Sequence, residues 1–121
     1  MFDGDYATTT VAISDHDPLQ VCADAAMAAL VHDRLLVRRL PALARVAGYE
    51  VIRLRSHAYT ETTQPNYMLT IIDRGADALV ATGQIGTDTA KALKAEARRR
   101  AEEGTFFGHI AYASIIARRR A

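Results

Sequence analysis

Three short stretches set groups capable of acid–base chemistry side by side. Asp15-His16-Asp17 puts two carboxylates next to an imidazole, the residue types of a metal site or an acid/base pair. Asp3-Gly4-Asp5-Tyr6 offers alternating carboxylates followed by a phenol, and acidic groups at strand ends face ligands in many open α/β folds. His57 and Tyr59 share one side of an alternating segment, His57 as a base or hydrogen-bond donor. His109 stands alone in an apolar run and is a further pocket candidate. Each has a plainer reading. Asp15 to Asp17 also form a helix-capping cluster, completed by Pro18 and Gln20. His57 and Tyr59 sit beside Arg53 and Arg55, as on a solvated sheet face. His109 also fits a hydrogen-bonded interior group, and Asp3 and Asp5 also fit solvated chain-end charges.

Motifs of established chemistry are missing. There is no phosphate-binding glycine loop, no Gly-x-Ser-x-Gly, no His-Glu-x-x-His and no Cys-x-x-Cys. Arg98-Arg99-Arg100 and Arg118-Arg119-Arg120 are basic triplets without interleaved aromatic residues, and Glu96, Glu102 and Glu103 offset the first. They read as a solvated helix end and a solvated tail rather than a nucleic-acid contact. The 15 Lys and Arg against 14 Asp and Glu give a net charge of +1, so no overall field draws nucleic acid or acidic lipid. The single cysteine, Cys22, leaves no internal disulfide and no cysteine-rich zinc site. No apolar run approaches the roughly 20 residues of a membrane helix. Met1 to Asp5 lacks the basic-then-apolar order of a signal peptide. A cytoplasmic protein, with neither membrane nor nucleic acid as partner, is expected.

These residues need elements to hold them. With 121 residues, half of them hydrophobic, a single domain over 1–121 is expected. Phe2 to Val11 is rich in β-branched and aromatic residues and reads as a strand, the tail of a longer element. Asp17 caps a helix running to about Val31, with Pro18 at its first position, Gln20 closing the box, and Leu19, Cys22, Ala26 and Leu30 as its stripe. A second helix covers about Asp33 to Ala47, with Pro41 inside it and Gly48 after it. Glu50 to Thr60 alternates as a strand. Asn66 caps a helix over about Tyr67–Ala81 that contains Gly75. Thr87 or Asp88 caps the last helix, which stops at Gly104. Thr105 to Arg118 is apolar on both faces and so reads as a central strand, with Gly108 allowing a close neighbour.

In this order the phrases Arg39-Leu40-Pro41-Ala42-Leu43-Ala44-Arg45-Val46-Ala47-Gly48-Tyr49 and Gly104-Thr105-Phe106-Phe107-Gly108-His109-Ile110-Ala111-Tyr112 resemble the C-terminal part of class I S-adenosylmethionine-dependent methyltransferases of the small-molecule type. Phe2-Asp3-Gly4-Asp5-Tyr6 resembles the end of that family's fifth strand. The resemblance covers essentially the whole chain. It implies an α/β fold, the C-terminal portion of a Rossmann-like sheet, with three strands in a mixed sheet and four or five helices. The last strand would lie between the other two.

The family's glycine-rich cofactor loop and its acidic ribose partner have no counterpart here. The resemblance therefore implies about 40% of an ordinary roughly 250-residue enzyme, the substrate side only. S-adenosylmethionine belongs to the full-length family and is not expected to bind this chain alone. Asp3, Asp5, Tyr6, His57, Tyr59, Tyr67 and His109 are the expected acceptor-pocket residues, with no catalytic or metal-binding residue carried over. A different class of function is a standalone small-ligand-binding protein, or a cyclase or isomerase, built from a methyltransferase half. A homodimer is expected, because the first strand would present an unpaired edge.

Overall fold

Alternating polar and apolar residues, punctuated by Pro18, Gly48, Pro65 and Gly104, fold into three strands and four helices in the computed structural model, which describes residues 1–120. The order is β1 (Phe2–Thr10), α1 (Pro18–Leu30), α2 (Leu36–Val46), β2 (Tyr49–Glu61), α3 (Asn66–Ala81), α4 (Thr87–Glu103) and β3 (Gly108–Arg119). The strands form one open sheet in the order β1-β3-β2, with the last strand central as expected. The sheet is not mixed. Every pairing is antiparallel, because β3 enters between two strands of like direction and keeps them apart.

β3 starts at Gly108 rather than Thr105. The N–H groups of Thr105 and Phe106 both donate to the Arg100 carbonyl, closing α4 behind Gly104, whose φ of 76° places it in the left-handed region. Phe106 is nonetheless buried.

The sheet separates two unequal layers. Ile110 faces α1, α3 and α4, and the main core gathers there around Leu19, Met68 and Ile72, all fully buried. α2 alone covers the other face, where Leu40 and Leu43 line a gap above Ile115 and Ala117. Two glycines permit the tightest approaches. A Cβ on Gly75 would sit 1.7 Å from the Cys22 carbonyl oxygen, so α1 and α3 touch backbone to backbone. A Cβ on Gly108 would meet the Met68 side chain at 2.5 Å, the close neighbour its position in the strand suggested.

Local chemistry departs from expectation at several helix ends. Asp17 caps α1, accepting from the Leu19 N–H at 3.0 Å. Gln20 does not close a capping box. Its amide instead ties down the end of β1, accepting from the Val11 and Ala12 N–H groups and donating to the Thr9 carbonyl. Asn66 is the first residue of α3 rather than its cap, and Glu61 at the end of β2 takes the capping role by accepting from the Met68 N–H at 2.8 Å. Gly86 precedes α4 in the cap position assigned to Thr87 or Asp88. The first arginine triplet is not wholly solvated. Arg100 is 7% exposed and grips Asp17 at 2.6 and 3.0 Å, while Arg98 and Arg99 pair with Asp73 and with Glu96 and Glu103.

Candidate functional site

Strand register decides which candidates meet. His57 lies opposite Tyr112 and Tyr59 opposite Ile110, so both point to the face shared with α1 and α3. Gly4 lies opposite Tyr112 on the other side. Tyr6 follows two residues later on that face, its ring folded over Gly4, where a Cβ would come within 2.7 Å. Tyr67 arrives from the first turn of α3. Three phenols, Tyr6, Tyr59 and Tyr67, thereby gather around a fourth, Tyr112. Tyr59 stands edge-on to Tyr67 and to Tyr112, with centroids 6.0 and 6.2 Å away, and Tyr6 stands edge-on to Tyr112 at 6.2 Å. Phe2 stacks on Tyr112 at 5.3 Å and approaches His57 at 5.8 Å. These tilted arrangements match the quadrupole preference of aromatic rings.

Tyr6 and Tyr67 form one wall of an open cleft of about 490 Å³ between α1 and α3. Met27, Leu30 and Ile71 supply apolar surface, and His32 and Arg74 stand in its lining. Leu30 was expected in the buried stripe of α1. It is 49% exposed because it lies at the cleft, one turn beyond the packed Met27.

Tyr59, Tyr112 and Tyr6 hold their protons firmly. The hydrogen bond that Tyr59 donates to Glu61, followed by burial, pushes its pKa up to about 12. Burial pushes Tyr112 up further, reinforced by Tyr67 and Tyr6. Burial also raises Tyr6, with the Asp3 charge adding to it. At neutral pH these side chains are hydrogen-bond donors and apolar walls, not bases. Glu61 links the cluster to the scaffold, because it accepts from both Tyr59 and the α3 backbone.

The remaining candidates lie elsewhere. Asp3 and Asp5 pair with Ala113 and Ala111, on the register positions that face α2. Asp3 accepts from the Gly4 N–H yet stays within reach of the Tyr6 hydroxyl, and Asp5 is bound to Arg38 of α2 at 3.0 Å. His109 lies opposite Thr60, one position out of phase with Tyr59, and stacks on Phe107. His57 bonds Ser114 at 2.8 Å and sits behind the tyrosines, outside the cleft lining. Of the Asp15-His16-Asp17 cluster, Asp17 is consumed by α1 and Arg100. Among the described residues no group of three or more His, Cys, Asp or Glu is gathered for a metal.

Tyr112, Glu61, His32 and Arg74 escape a reading of the sequence. Alternation assigned Tyr112 to a core face, and the ring does pack on the core, yet its outer side meets the phenols. Glu61 lies just past the end of the expected strand. Nothing in the spacing of His32 and Arg74 reveals that the C-terminus of α1 meets the first half of α3. Comparison with protein families, curated proteins and solved structures finds no match for this chain.

Proposed function

We propose that this chain is the acceptor-side segment of a methyltransferase-like fold and that the Tyr6–Tyr67 cleft receives a small, largely apolar molecule. One observation carries the reading. β1 and β2 run in the same direction, both antiparallel to β3, and the cleft joins Tyr6 of β1 to Tyr67, which follows the carboxyl end of β2. Tyr6 is the middle residue of β1, Tyr59 lies near the end of β2, and Tyr67 on the helix that follows. Open α/β sheets take their ligands outside the carboxyl ends of the strands. A cleft of this volume suits a small organic molecule.

Positioning is the contribution these residues can make. Apolar and aromatic walls fix a flat acceptor, and phenols that keep their protons orient a polar handle. Held geometry of this kind supplies much of the acceleration in transfers needing in-line approach. On this reading the chain alone does not hold S-adenosylmethionine. Gly48, Gly83 and Gly104, its glycines of positive φ, lie just beyond the C-terminal ends of helices, not in a loop between a strand and the helix after it. On this reading no transfer step is assigned to this chain alone.

Two titrations test this. In calorimetry, S-adenosylmethionine should show no useful affinity, and a dissociation constant below about 100 μM, roughly −5.5 kcal/mol, would overturn the assignment. In amide-resolved NMR, 2-naphthylmethanol should shift Tyr6, Leu30, Tyr67 and Ile71, and unmoved cleft amides would remove the acceptor-pocket reading.

A second reading, a standalone ligand-binding protein or a cyclase or isomerase, uses the same cleft. Turnover of a bound molecule without any methyl donor would select it. Under either reading a homodimer is proposed, because both outer strands carry free edges.

A further inference from the structure

The lining of the cleft contains no carboxylate. Its polar members are Tyr6, Tyr67, His32, Arg74 and Thr70, each a hydrogen-bond donor or a cation. The acidic neighbours in sequence are already engaged. Asp73 is held by Arg98 through two bonds of 2.8 and 2.6 Å, which leaves Arg74 without an acidic partner. Asp33, next to His32, is held by Arg39. Asp3, whose charge reaches Tyr6, lies outside the lining and accepts from the Gly4 N–H. The other half of the lining is Met27, Leu30, Val31 and Ile71, a continuous apolar wall.

We propose that the cleft between α1 and α3 binds a flat aromatic carboxylate, its ring system against Leu30, Ile71 and Tyr67 and its anionic group on Arg74. This rests on the acceptor-cleft reading above and names the ligand class. A guanidinium presents a planar fork of donors that a carboxylate matches, and such charge-assisted bonds are the stronger ones. Tyr6 stays protonated, its hydroxyl within reach of the Asp3 carboxylate, and contributes its ring to the wall. A neutral ligand of the same shape would gain the apolar contact and forgo the ion pair.

The test is a pair of amide-resolved NMR titrations, with 2-naphthoate and with 2-naphthylmethanol, on the whole chain and on Arg74→Gln and Arg119→Gln. Arg74 is exposed and unpaired, so its substitution should leave the spectrum otherwise intact. Naphthoate should bind the unaltered chain about tenfold more tightly than the alcohol, shifting Tyr6, Leu30, Tyr67 and Arg74. Arg74→Gln should abolish that advantage by weakening naphthoate alone, and Arg119→Gln should change neither ligand. Equal affinities in the unaltered chain, full naphthoate affinity in Arg74→Gln, or an equal loss in Arg119→Gln would overturn selection for an anion. In those cases cleft shifts with the alcohol would still uphold the acceptor-cleft reading. Absence of cleft shifts with both ligands would overturn both.

Discussion

Asp17 and Arg100, separated by 83 positions, join the start of α1 to the last turn of α4 with both side chains almost wholly out of solvent. Removing one partner strands the other charge, which typically costs about 3–5 kcal/mol. Arg100→Ala should lose about that much in urea unfolding, whereas Arg119→Ala should be nearly silent. The pair also sets an acid limit. Burial pushes the Asp17 carboxyl up, but the Arg100 guanidinium and the Ile13 and Leu19 N–H groups outweigh it and hold it below its ordinary value. A carboxyl whose pKa is lower folded than unfolded stabilises fully above the unfolded value, roughly 3.9, and loses that contribution as pH falls through the folded one. The acid limb of a stability–pH curve should therefore be less steep in Asp17→Asn. Arg100 illustrates what could not be seen in the sequence. In an arginine triplet flanked by glutamates, only the contact with a residue at the far end of the chain distinguishes the buried member. Tyr59 was legible, because strand alternation put it on the polar side and register did the rest. His109 falls on the face opposite Tyr59, where the same alternation puts it.

At the level of elements, β3 carries the sheet. Its expected two-sided apolar character matches its central place, with Ile110 buried beneath the helices and Ile115 on the side of α2. Ile110→Ala should cost about 2–5 kcal/mol and lower the melting midpoint by several degrees, and an unchanged midpoint would contradict its place in the core. Helix positions were legible to within a few residues because caps, prolines and terminal glycines are local signals. The mixed sheet was not foreseeable as an error from strand patterns, which specify faces but not partners. Which helices cover which face was equally hidden, since β3 is apolar on both. The cleft depends on that choice. It forms where α1 and α3 end up adjacent, and neither helix announces the other in its periodicity.

At the scale of the whole molecule, the sheet ends at two unpaired edges, β1 and β2. Phe2, Ile52, Leu54 and Ile116 are each half exposed or more, and Val46 is 88% exposed. Edge strands with apolar neighbours recruit further strands. Light scattering at micromolar concentration should report a homodimer burying at least about 1,200 Å², and a clean species at the 13.2 kDa monomer mass would exclude it. The backbone contact between Gly75 and Cys22 has a consequence of a different kind. The only thiol of the protein is sealed beneath the crossing of α1 and α3, inaccessible to solvent and with its pKa pushed up by burial. Reagent can reach it only when the two helices part, so its modification rate is a clock for the opening of the core. In native buffer, a disulfide reagent should label Cys22 far more slowly than a free thiol. Gly75→Ala forces a Cβ into the Cys22 carbonyl and should cost about 3 kcal/mol. That would speed the clock roughly a hundredfold, and an unaltered labelling rate would mean that reagent reaches Cys22 by a route other than the parting of the two helices.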